Sequence, residues 1–176
     1  MRADAARENG APGVFRRAGY AFFALALAAC TDGANRGGDA SALRDPTVPI
    51  GAILRFDPAL FDGDWRVHSA AGAAWDLTGF TVSGRSTAWR EPAGSATITA
   101  RATGILQLRY ADGTQRDLWV IWTDPDHHTV ALGTPDGAFG FIATKAGRFR
   151  ADQVTAAGQV LDFNGYRTQT WSVRAR

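Results

Sequence analysis

Cysteine is all but missing: Cys30 is the only one in 176 residues. An intramolecular disulfide is therefore excluded, and so is a metal site built on several thiolates. Lysine is as scarce, with Lys145 alone and arginine in its place elsewhere. Histidine occurs three times, at 68, 127 and 128. No Gly-x-Ser-x-Gly segment is present, so the strained nucleophile turn of an α/β-hydrolase is not encoded. No apolar run approaches the roughly 18 residues that a membrane-crossing helix requires.

A basic footprint is lacking too. The formal net charge is +2, but Arg2, Arg7, Arg16 and Arg17 outweigh Asp4 and Glu8 within residues 1–29, and the other 15 Arg and Lys face 15 Asp and Glu. The part expected to fold is electrically balanced, which disfavours nucleic acid as a partner. Its length suits one domain with a real core and not two.

What is present begins with an address. Arg16-Arg17 precedes Ala18–Ala28, an apolar run too short to span a bilayer but of signal-peptide length. The run ends in Leu27-Ala28-Ala29-Cys30. That segment resembles the lipobox of bacterial lipoproteins, in which small residues fit a peptidase and the following thiol is acylated, palmitate being a typical chain. The resemblance implies a signal peptide over residues 1–29 and lipidation at Cys30. It further implies anchoring in the cell envelope. Thr31 rather than Asp after the cysteine favours the outer membrane, facing the periplasm. Residues from Thr31 to about Pro49 are rich in Gly, Ala, Asp, Ser and Pro with no apolar period, and read as a flexible tether. Residues 30–50 are thus expected to form anchor and tether, and 51–176 the folded domain.

From Phe61 onward short alternating segments are separated by turn signals, the mark of an all-β barrel or sandwich. Eight strands are predicted: Asp64–Ser69, Gly79–Val82, Thr87–Glu91, Ala96–Arg101, Ile105–Tyr110, Gln115–Thr123, Thr129–Gly133 and Ala138–Thr144. Pro92-Ala93-Gly94, Asp112-Gly113 and Pro135-Asp136-Gly137 are tight-turn sequences. Short links predict an up-and-down antiparallel meander. The segment Leu118–Trp122 is apolar on both faces, so something must cover its outside. Val154, Ala157 and Leu161 recur at helical spacing and predict a covering helix over Arg150–Leu161. Thr168–Val173 is predicted as a last strand.

At this point three motifs resemble the lipocalin family, in particular its lipid-anchored bacterial members. The first is Gly63-Asp64-Trp65, preceded by Phe61. The second is Trp119–His127, with Thr123-Asp124 at the strand end. The third is Phe141-Ile142-Ala143-Thr144-Lys145. The resemblance covers about Phe61 to Trp171. It implies an eight-stranded barrel with a C-terminal helix outside, Trp65 plugging the closed end, Lys145 lying across Trp65, and Asp124 tying the loop after strand six. Gly63, Trp65, Thr123, Asp124 and Lys145 are thus structural residues. Pro125 stands where the family has Tyr. The stretch from Trp65 to Trp119 is shorter than usual, which implies a shallower mouth.

Side chains expected to face the lumen are Val67, Phe80, Trp89, Leu106, Leu108, Trp119, Ile121, Phe139 and Phe141, with Arg90, Arg101 and Arg109 outside. The expected ligand is a small apolar or amphipathic molecule of the fatty acid or lysophospholipid class. The alternative is a filled barrel that works by contact with another envelope protein. His127 and His128 cannot easily chelate one ion together, since strand neighbours point to opposite faces, and they read as solvated loop residues at the closed end. Asp124-Pro125-Asp126 lacks further oxygen ligands at cation-loop spacing. No metal, cofactor or enzymatic activity is expected.

Overall fold

The alternation from Gly63 onward folds into strands that close on themselves. The computed structural model describes residues 43–72 and 76–173. The signal segment, Cys30 and the first part of the tether lie outside the described residues. In chain order come a one-turn helix α1 (Pro58–Phe61), β1 (Gly63–Gly72), β2 (Gly79–Ser83), β3 (Ala88–Glu91), β4 (Gly94–Ala102), β5 (Ile105–Tyr110), β6 (Gln115–Thr123), β7 (Thr129–Gly133) and β8 (Phe139–Lys145). A helix α2 (Ala151–Phe163), a 3₁₀ turn (Thr168–Thr170) and a two-residue β9 (Ser172–Val173) follow.

Every strand from β1 to β8 pairs antiparallel with its successor, and β8 returns to pair with β1. The result is the expected eight-stranded up-and-down barrel. β2 leaves β1 after Arg66, and β9 takes its place against Ser69 and Ala70. The predicted last strand is therefore mostly a 3₁₀ turn, with only two residues in the sheet. One end of the barrel carries the short β2–β3 and β4–β5 links, the β6–β7 loop and α1. The other carries the β3–β4, β5–β6 and β7–β8 turns and is called the mouth below.

Two apolar cores result. The inner one contains Trp65, Val67, Phe80, Trp89, Leu106, Leu108, Leu118, Val120, Phe139 and Phe141. The outer one lies between the sheet and α2, where Ala157 and Leu161 are fully buried against Ile121, Ala131 and Ile142. Helix α2 ends in a Schellman motif: Gly165 takes φ +86, its N–H reaches the Asp162 carbonyl, and the Tyr166 N–H reaches Leu161. That turn sends Tyr166 back onto the barrel, where its hydroxyl donates to the Thr134 carbonyl at 2.7 Å and accepts from the Thr134 N–H at 2.9 Å. Gly133 leaves room for this phenol, because a Cβ there would sit 2.2 Å from the hydroxyl. Burial pushes the Tyr166 pKa up to about 12.

Residues 43–49, read above as tether, are docked instead. The Arg44 side chain is buried and donates to the carbonyls of Asn164 (2.9 Å), Pro135 (3.3 Å) and Val48. Asp45 N–H bonds to Gly165. A guanidinium with three carbonyl acceptors explains how a short segment with two prolines and no apolar period is held: polar bonds fix it, and hydropathy carries no trace of them.

Candidate ligand-binding barrel

The closed end is built around the Gly-x-Trp sequence. Gly63 adopts φ +139, a region L side chains rarely enter, and so lets β1 start directly beneath the Lys145 stem. Trp65 then points into the barrel, 3% exposed, and its Nε1 donates to the Phe61 carbonyl at 2.9 Å. Phe61 closes over it with ring centroids 5.3 Å apart. Lys145 Nζ lies 5.5 Å from the Trp65 ring and donates to the Leu60 carbonyl at 2.8 Å. Burial lowers the Lys145 pKa, while Asp62 and Asp124 work in the opposite sense. The cation adds roughly 0.5–2 kcal/mol to the plug.

Asp124 secures the same end. One carboxylate oxygen accepts the backbone N–H of His128 (2.7 Å) and of Thr129 (2.5 Å), and the Thr123 hydroxyl donates to the Thr129 carbonyl at 2.9 Å. This closes the 124–128 loop whether or not Tyr follows Asp124, so Pro125 is accommodated. His127 departs from expectation: it is buried with φ +53, and its ring lies 6.2 Å from Phe56. The docked N-terminal segment brings Phe56 over the loop, and sequence spacing gave no sign of that. His128 is half-buried. It shares a small space with Asp124 and Asp126, their donor atoms all within 4.8 Å of one another. These three are the groups here that could hold a cation, although one Asp124 oxygen already serves the loop. His68 lies on the outer face, with Nε2 2.8 Å from the Thr144 hydroxyl.

Above the plug a column of rings climbs the interior. Trp65 stacks on Phe80 at 5.9 Å, and Phe80 on Trp89 at 4.0 Å. Phe141 meets Phe80 edge-on at 5.7 Å and is followed by Phe139 at 6.2 Å. The Trp89 Nε1 is buried without a hydrogen-bond partner. Val67, Leu106 and Leu108 line the remaining wall, as predicted from alternation.

Trp119 and Ile121 do not. Both lie in the outer core, and Leu118 and Val120 face the lumen in their place. The hairpin through residues 111–114 sets this register, pairing Leu106 with Leu118 and Leu108 with Arg116. Because paired residues share a face, the inward Leu106 and Leu108 draw Leu118 and Arg116 inward. A bulge between Val120 and Trp122 then leaves Ile121 and Trp122 together on the outer side, under α2 and the docked segment.

That register brings an unanticipated residue to the mouth. Arg116 lies with its guanidinium 5.0 Å from the Phe139 centroid and 5.8 Å from that of Tyr110. The Tyr110 hydroxyl donates to Glu91 at 2.7 Å, joining β5 to β3 across the rim. Burial, then the Glu91 carboxylate, pushes the Tyr110 pKa upward. Arg90, Arg101 and Arg109 are exposed on the outer face, as read from the pattern. A surface hollow of about 420 Å³ beside the mouth includes Arg116, Phe139 and Asp136 in its wall.

No family model and no curated protein matches the chain. Among solved structures it is similar to apocrustacyanin C1, a lipocalin, with a TM-score of 0.52 and 11% identity over 67% of this chain and 78% of that one. The fold is that of a lipocalin. A point mutant of LTBP1 in complex with leukotriene C4 matches 66% of this chain and 90% of that one, with a TM-score of 0.42 and 13% identity. In this fold the Trp65–Lys145 plug and the Asp124 loop close one end of the barrel, and the ring column occupies the interior above them. Among the described residues, no helix is long and apolar enough to cross a membrane.

Proposed function

We propose that this protein is an envelope lipoprotein that holds a small hydrophobic or amphipathic molecule, of the fatty acid or lysophospholipid class, inside its lipocalin-like barrel. The observation that carries this reading is the closed barrel whose lumen is lined by apolar side chains, with the Arg116 guanidinium at its mouth. Such an interior stabilises an alkyl chain by roughly 0.8 kcal/mol per buried methylene, and eight to ten methylenes reach micromolar affinity after the cost of association. The Leu27–Cys30 lipobox supports the anchor: acylated at Cys30, the barrel would stand at the outer membrane, facing the periplasm. Its task in this reading is binding and not turnover.

Titration of delipidated protein with a fluorescent long-chain amphiphile tests the binding. Saturable uptake is expected, with a change in emission from Trp65 and Trp89. Absence of uptake at high micromolar amphiphile overturns the reading.

The second reading is a filled barrel that acts through protein contact. The ring column favours it, since Trp65, Phe80, Trp89, Phe139 and Phe141 are each 4% exposed or less. In that case the titration is flat and cross-linking in the intact envelope captures a partner instead.

A further inference from the structure

The inner face of the barrel carries a cation, Arg116, that makes no ion pair within 4 Å among the described residues. Arg116 shares the lumen-facing side of β6 with Leu118 and Val120, and its guanidinium rests on Phe139 and Tyr110. The ion pair between Arg150 and Asp152 lies elsewhere, at the start of α2. Glu91, Asp112 and Asp136 are carboxylates on the same rim: Glu91 accepts the Tyr110 hydroxyl, Asp112 acts on Tyr110 from the β5–β6 turn, and Asp136 shares the surface hollow with Arg116, but none of them is within ion-pair distance of its guanidinium. Two ring faces thus hold the guanidinium in place while its N–H groups keep their hydrogen-bonding capacity. A planar fork of this kind matches the paired oxygens of a carboxylate or a phosphate. A second donor waits below. Trp89 precedes Glu91 by two residues on the same face of β3, and its buried Nε1 has no partner. An amphiphile with its chain in the lumen and its charged end at the rim would bring oxygen atoms to both levels.

We propose that Arg116 is the specificity-determining residue of the barrel: it selects amphiphiles whose head group is anionic, a carboxylate or a phosphate, over neutral ones of the same chain length. The proposal rests on the reading that the barrel takes up amphiphiles at all. Arg116 acts in it as the head-group contact. Tyr110 and Glu91 act as positioning residues: the Tyr110 ring holds the guanidinium over the rim, and its hydroxyl keeps the Glu91 carboxylate occupied.

The test compares dodecanoate, dodecyl phosphate and dodecanol on the folded barrel and on Arg116→Gln and Arg116→Lys variants. A charge-assisted pair at the rim is expected to favour either anion over dodecanol by about tenfold or more. Arg116→Gln should erase that preference while dodecanol binding stays within about twofold, and Arg116→Lys should restore part of it for the phosphate. The ratio of the two anions shows which head group the rim fits. Equal binding of all three probes by the unaltered protein, or a preference that survives Arg116→Gln in a variant with an unchanged circular dichroism spectrum, overturns the proposal. Uptake of dodecanol without anion preference leaves the barrel-binding reading standing. Uptake of no probe overturns both.

Discussion

Replacing Trp65 with alanine is expected to destabilise the barrel by about 3–5 kcal/mol, the range for deleting a large buried aromatic side chain. Trp65 has a larger effect than any single lumen residue because it serves three contacts at once. It stacks on Phe80, packs beneath Phe61 and donates to the Phe61 carbonyl. Its loss opens a cavity at the sealed end and leaves Lys145 without the ring it faces. Urea denaturation followed by far-ultraviolet circular dichroism measures the cost. Trp65→Phe should recover about half of it, since a smaller ring keeps the stack but not the indole N–H bond. A Trp65→Ala loss under about 1 kcal/mol would show that the plug does not hold the closed end.

Replacing Asp124 with alanine should cost about 2–5 kcal/mol, because two backbone N–H groups, those of His128 and Thr129, lose one charged acceptor in a buried place. Asp124→Asn keeps an acceptor oxygen and should lose less than half as much. Hydrogen exchange provides the local measure. The Thr129 amide should exchange faster in Asp124→Ala by a factor that exceeds the change in global stability. Protection that falls only in step with global stability would mean that the loop is held by other contacts.

Much of the fold was legible because its signals are local and repeat. Alternation with tight turns located eight strands, and the ends of β5, β6 and β7 coincide with the sequence reading. Period 3.6 found α2 through Val154, Ala157 and Leu161, with the end two residues later than expected at the Asn164-Gly165 cap. Motif order placed Gly63, Trp65, Asp124 and Lys145 where the structure has them.

The misses share one physical cause: they depend on what lies opposite. In β6 both faces are apolar, because the lumen covers one and α2 with Trp171 and Tyr166 covers the other. Hydropathy alone could not tell Trp119 from Leu118. The Asp112-Gly113 turn could have, since pairing Tyr110 with Thr114 fixes Leu108 against Arg116. The same step would have found the arginine at the mouth. The docking of Arg44 and the burial of His127 had no such signal, for each rests on contacts between segments far apart in sequence.

In the proposed function the barrel carries a small amphiphile at the membrane to which Cys30 would anchor it. Native mass spectrometry of the protein purified from that membrane, before and after organic extraction, tests it most directly. One extractable adduct of amphiphile mass per barrel is expected, distinct from any acyl group on Cys30 and still present when Cys30→Ser protein is loaded from a lipid extract. A barrel that emerges bare and stays bare when amphiphiles are added would contradict it.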